Sequence, residues 1–423
     1  MCKDTIVIHR HNMVTKYTQI KPILPILKFE CLFDTKAIFL DTCENQVYDL
    51  TSIPRYVEHI KFGQSFNQLI KQDDLPTKLQ SIVFGGCFNQ LIDKNVLPTG
   101  LHSIIFGGCF NQKFEKDVLP AGLQSIHFGD KFNQKIEKNV LPAELQSVVF
   151  GDGFDQKIKK DILPSDLLSI EFGSKFNQEI EKDVLPIGLQ SIVFSDEFNQ
   201  PIDKNVLPAG LQSIKFGRKF NQPIDKDVLP AGLHSIMFDC SNRPNDKDVL
   251  PSDLRSIVFS DLYNKPLRKN MLPVGLQSIH FGYRYNQPIG KDMLPAGLQS
   301  IRFGYHCNQP IGKNVLPTGL QSIVFDRYFN QPLDNIPDKT KLYFVDFPLN
   351  MTRNYTFYRC RKSDLKIEIQ NKKKEANINV GEIYTSKLND TKYYMVDVEI
   401  IKPEINKEKI KDLIHQLEVE LQF

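Results

Sequence analysis
No stretch of the 423 residues stays apolar for the roughly 18 positions that a membrane-spanning helix needs, and the opening MCKDTIVIHRHN lacks the apolar core of a secretory signal. Charge of one sign is not in excess either: 53 basic side chains stand against 50 acidic ones. That balance gives no electrostatic reason to expect nucleic acid or an anionic membrane as a partner. The eight cysteines contain no C-x-x-C pair and no zinc-like spacing, so free thiols are the default. Catalytic patterns are missing too. Gly85-Gly86 and Gly107-Gly108 complete no phosphate-binding motif, and Cys360 has no histidine placed to activate it. The absences together describe a soluble, intracellular chain with no cofactor, no metal site and no enzymatic activity.

What the sequence does contain is a period. Leu-Pro recurs from Leu75 to Leu316 in steps of 22 residues, except for one step of 21 between Leu229 and Leu250. The cleanest unit is LPAGLQSIKFGRKFNQPIDKDV, starting at Leu207. Weaker copies extend the register back to Ile38 and forward to Leu342–Phe347, which keeps step with Leu320–Phe325, so the array spans residues 35–347. A unit this short cannot enclose a core, and its copies must stack.

Within each unit Ile-x-Phe alternates as a strand does, with Ile or Val pointing in and Phe pointing in two residues later. One strand per coil then builds a parallel sheet, with Pro and Gly bending the chain at the corners. Phe66, Phe88, Phe110, Phe132, Phe154, Phe176, Phe198 and Phe220 form an aromatic spine. A column from Asn45 to Asn330, interrupted only by Asp155, is expected to satisfy the backbone of a buried corner. The coil around Asp239–Asp248 deletes the spine Phe and puts Asn245 at a core position, which predicts a soft joint.

The unit L-P-x-G-L-Q-S-I-x-F followed by F-N-Q-P-I resembles the FNIP repeat, a family similar to leucine-rich repeats and typical of slime moulds and of giant viruses that infect amoebae. The resemblance implies a leucine-rich-repeat-like solenoid, and a cytoplasmic location, in the host cytoplasm if the chain is viral. Many members carry an F-box ahead of the repeats, which implies an alternative role in substrate recognition for a ubiquitin ligase. Ile23-Leu24-Pro25-Ile26-Leu27 matches such a segment poorly.

Residues 1–34 and 348–423 lack the period and read as caps. The second is a small α+β domain, with strands at Leu365–Ile369, Ile378–Val380 and Tyr393–Ile400 and a helical stripe through Ile410, Leu413, Ile414, Leu417 and Leu421. An enzyme housed there, built around Cys360, is the remaining alternative.

Function is read from positions that the repeat leaves free. The outward strand column mixes apolar and charged residues, among them His280 and Arg302, on a face expected to be open. The turn after the strand carries small or charged residues in early coils, then Tyr283, Arg284 and Tyr285, Tyr305 and His306, Arg327 and Tyr328. Tyr and Arg supply large contact area with a polar handle, which makes this edge the candidate site for a protein partner. Cys87 and Cys109 share a column on adjacent coils at plausible disulfide spacing, and a reducing compartment keeps them as thiols.

Overall fold
The computed structural model describes residues 48–240, 249–326, 329, 331–337 and 339–345, with backbone strands at 5–8, 37–40, 354–360, 377–385 and 392–399; for 343–345 and these strands the backbone alone is described. They form a parallel β-solenoid of about 12 coils, about 22 residues per turn. Among the described residues the helical content is one 3-10 turn, Leu50–Ser52. The chain divides into two compact units, residues 1–233 and 234–423.

In the first unit the strands are β1 (Thr5–Ile8), β2 (Ala37–Leu40), β3 (His59–Phe62), β4 (Ser81–Val83), β5 (Ser103–Ile105), β6 (Ser125–His127), β7 (Ser147–Val149), β8 (Ser169–Glu171), β9 (Ser191–Val193) and β10 (Ser213–Phe216). From β1 to β10 each pairs in parallel with the next, Ile or Val opposite Ile or Val throughout. β1 lies in the segment that has no period, so the sequence pattern did not announce it.

One coil shows how the residues make the fold. Ile126 on β6 and Phe128 directly after it point inward, followed by Phe132, Ile136, Val140, Leu141 and Leu145, all buried. Three four-residue turns close the coil: Phe132 N–H donates to Gly129 O (2.9 Å), Val140 to Glu137 (3.3 Å) and Leu145 to Pro142 (3.2 Å). In the middle turn Asn139 takes φ 64°, and Asp or Asn holds the same left-handed position in ten other coils. Among non-glycine residues these two tolerate that region best.

The corner glycines have another task, since no described glycine has positive φ. A Cβ on Gly107 would lie 2.0 Å from Gly85 O, so glycine permits backbone to stack on backbone. Ser195 stands in this column in a later coil; its hydroxyl accepts from Phe198 N–H (2.9 Å) and donates to Phe176 O (2.5 Å).

Two aromatic columns interlock beneath the sheet. Phe150 lies on Phe154 within a coil (centroids 4.0 Å, 11°), and Phe154 on Phe176 of the next (6.1 Å, 7°). Outside, Lys–Asp pairs such as Lys138–Asp161 (3.0 Å) step from coil to coil. They are exposed, so each contributes at most about 1 kcal/mol.

The second unit contains β11 (Ser235–Phe238), β12 (Ser256–Val258), β13 (Ser278–His280), β14 (Ser300–Arg302), β15 (Ser322–Asp326) and β16 (Lys341–Val345), each parallel to the next. Here the spine changes to Tyr263, Tyr285, Cys307 and Phe329, all buried. The soft joint expected around Asn245 falls on residues 241–248, outside the described residues.

The last coil departs from the expected register. Leu342 pairs with Ile323 and Phe344 with Phe325, three residues earlier than Val345 and Phe347 would have it. Leu333 to Pro337 spans two residues fewer than Ile311 to Pro317, and Pro337 to Lys341 one fewer than Pro317 to Ser322. Thr340 thereby fills the slot of Leu320, buried, with its hydroxyl donating to Leu320 O at 2.9 Å.

Three antiparallel strands follow: β17 (Asn354–Cys360), β18 (Asn377–Thr385) and β19 (Lys392–Glu399). β17 pairs with β16 and β19, and β19 with β18, which bulges at Glu382/Tyr384. β18 includes the strand read at Ile378–Val380 and β19 covers the one read at Tyr393–Ile400 up to Glu399, while β17 was not read. The strand at Leu365–Ile369 and the helical stripe from Ile410 lie outside the described residues.

Candidate functional site
The turn following β13 and β14 carries the predicted binding residues. It is held to the coil before it: Tyr283 N–H donates to Asp261 Oδ1 (3.2 Å), Arg284 N–H to Asp261 O (2.8 Å) and His306 N–H to Tyr283 O (3.0 Å). This anchoring sets the side chains in register. The Tyr283 and Tyr305 rings stack at 4.7 Å and 10°, and the His306 ring stands edge-on to both, at 4.9 and 5.2 Å. Tyr283 is 42% exposed, Arg284 and His306 are exposed, and Tyr305 is half-buried. Tyr283, Arg284, Tyr305 and His306 are therefore brought together. Arg327 and Tyr328 lie outside the described residues.

Tyr285 does not belong to this surface. It is fully buried in the spine, stacked on Phe281 (4.0 Å) and Tyr263 (6.0 Å), and its hydroxyl has no hydrogen-bond partner. The YRY triplet reads as one exposed cluster in sequence, but the tight turn sends its third residue inward. Burial raises the Tyr285 phenol, and pushes Tyr263 up to about 12 and the Cys307 thiol up to about 11.

The sheet face beside the turn also differs from the expected open surface. His280 and Arg302 are register partners on β13 and β14, and both are half-buried. Ser256 on β12, Ser278 on β13, and Val324 and Asp326 on β15 are buried. Burial, reinforced by Arg302 and opposed by Asp261, holds the His280 imidazole down at about 4, and its Nδ1 has no partner. Burial also lowers Arg302, with Asp326 opposing. In the first unit the same face is more open, with Ile105 38% exposed on it.

The Asn column is a ladder with a direction. Asn111 Oδ1 accepts from Asn133 N–H (2.9 Å) and from Gln134 Nε2 (3.0 Å) of the next coil. Asp155 does the same for Asn177 and Gln178 at 2.9 and 3.0 Å. The corner is half-exposed or exposed, not buried, because its side chains lie along the outer surface of the stack. The Gln that completes the rung was not singled out from sequence, although it follows the column residue in each coil from Asn67 to Asn221.

Among the described residues no three His, Cys, Asp or Glu side chains cluster as a metal site, and no helix is long and apolar enough to cross a membrane. Cys360, at the end of β17, pairs with Lys392 through the backbone.

Ladders of parallel strands, one per 22-residue coil, define a leucine-rich-repeat-like solenoid. The FNIP Repeat model matches nine segments, the first five overlapping, beginning with 45–87 and 66–109 and ending with 263–306 and 308–345. The chain belongs to the FNIP-repeat family. Among solved structures it is similar to CroV588, a circular leucine-rich-repeat protein, at 37% identity and TM-score 0.61, over 75% of this chain and 50% of that one. It thus spans about half the length of CroV588. A leucine-rich repeat protein from Eubacterium ventriosum also aligns, over 76% of this chain and 87% of that one, but at 9% identity and TM-score 0.17 it carries no argument. No curated protein matches the chain.

Proposed function
We propose that the protein is a non-enzymatic scaffold that binds a protein partner through the turn edge of its second unit. The observation that carries this reading is the stack of exposed Tyr283 on half-buried Tyr305, with His306 against its edge and Arg284 beside it. Corresponding turns of the first unit carry Gly86, Gly108, Asp130 and Ser174 and offer no comparable aromatic area. Stacked rings flanked by cations suit an acidic or aromatic-bearing segment of a partner. Arg327 and Tyr328 extend the column in sequence, and His280 and Arg302 lie on the adjoining sheet face as support beneath the stripe. Solenoids of this class are generally non-catalytic, which agrees with a binding role.

The test is affinity capture from the native host cell. Tyr283→Ala with Tyr305→Ala should weaken retention of the captured partner by roughly 2 kcal/mol or more while leaving the circular dichroism spectrum unchanged. Asp130→Ala with Lys175→Ala, in the same turn of earlier coils, is the control and should leave capture intact. Equal losses in both pairs, or none in the tyrosine pair, would reject the turn edge as the binding site.

A further inference from the structure
Two thiols stand one above the other in the first unit. Cys87 is exposed and Cys109 half-buried, and both are free. Each occupies the same turn position, four residues beyond the register partners Val83 and Ile105. Their N–H groups are tied to the preceding coil in the same way, Cys87 to Gln64 O (2.9 Å) and Cys109 to Gly86 O (2.8 Å). The next residues, Phe88 and Phe110, stack at 6.0 Å and 2°, so the coils are in register on both sides of the pair.

Adjacent coils of such a stack lie about 4.8 Å apart, inside the Cα separation that a disulfide spans, about 4.4–6.8 Å. The Cβ atoms must converge slightly to reach bonding distance. Gly86 and Gly108, directly before each cysteine, give the chain the torsional freedom to do so. The Lys131 ammonium donates to Cys109 Sγ at 3.8 Å. Cys109 also lines a concavity of about 740 Å³, floored by Val83 and Ile105 and walled by Gln64 and Asp130, which admits a small oxidant. By contrast Cys240 and Cys307 are buried.

We infer that Cys87 and Cys109 form a reversible, peroxide-responsive disulfide that staples the coils of β4 and β5. Cys109 thiolate attacks a peroxide O–O bond, giving a sulfenic acid and releasing water or an alcohol. Cys87 then attacks that sulfur as its thiolate, and the sulfenic oxygen leaves as water once protonated. Two thiols are oxidised by two electrons while one peroxide is reduced, and a dithiol reverses the step by exchange.

The test treats the full-length protein with hydrogen peroxide and maps its peptides without reduction. The expected product is a Cys87–Cys109 cross-linked peptide, two hydrogens lighter than its parts, that disappears with dithiothreitol. In Cys87→Ser, dimedone should trap a sulfenic acid at Cys109. Cross-links to other cysteines instead, or individual over-oxidation of Cys87 and Cys109 without a cross-link, would overturn the inference. So would both thiols remaining free after Cys240 has reacted.

Discussion

Asn111 satisfies two donors of the following coil with a single atom, its Oδ1. Asp155 performs the same task without an amide nitrogen, so the ladder requires only the acceptor. Asn111→Ala should therefore destabilise the first unit by about 1–3 kcal/mol in urea denaturation, whereas Asn111→Asp should retain most of the stability. Equal loss in the two variants would mean that the amide group, not the acceptor, holds the corner. The column itself was legible in sequence because its period is strict. Its exposure was not, since a repeat reports which positions are equivalent and not how far each lies from solvent. The left-handed turns were missed for a related reason. Gly and Pro draw attention as turn formers, while the Asp/Asn column that takes positive φ, Asn139 among them, looks like ordinary surface polarity.

The spine shows how one element tolerates an imperfect member. Phe fills it through the first unit, but Tyr263 and Tyr285 bring hydroxyls into a packed interior where neither has a hydrogen-bond partner. An unpaired buried hydroxyl forfeits its bonds to water without replacement. Tyr285→Phe should consequently raise the stability of the second unit by about 1 kcal/mol or more, read as a shift of the denaturation midpoint at constant slope. A lowered midpoint would show that the hydroxyl has an unseen partner. At this scale the sequence described β3 to β15 well, because the Ile and Phe columns fix strand, face and register together. It failed at β16, where the three missing residues are spread over two turns and only the placement of Thr340 reveals them. It also failed at β1 and β17, which join the sheet without carrying the repeat.

Coils of a solenoid exchange contacts chiefly with their immediate neighbours, so a part of the array does not depend on the whole for its core. The chain divides into compact units at residues 233 and 234, and each should fold when expressed alone, with β-rich circular dichroism and a cooperative thermal transition. Partner capture should then follow the 234–423 fragment and the Cys87–Cys109 cross-link the 1–233 fragment. A first fragment that captures the partner equally well would move the binding site off the tyrosine edge while leaving the thiol chemistry untouched.

The side-chain ladder runs one way: each coil offers an oxygen forward, and the next supplies an N–H and a Gln amide to meet it. The junctions of the first unit from Asn89 to Asn221 thus repeat one chemistry, with Asp155 as the one substitute. Copying one repeat's worth of coding sequence into the middle of the array would create a coil that finds a matching acceptor in the coil before it and matching donors in the coil after it, with no loop to redesign. Length is consequently the easiest property of this protein for a lineage to change, and reach along a partner can be adjusted by unequal recombination before any contact residue mutates. The antiparallel β17 is the exception to that freedom, since it cannot continue the ladder and so marks the end at which the copying stops.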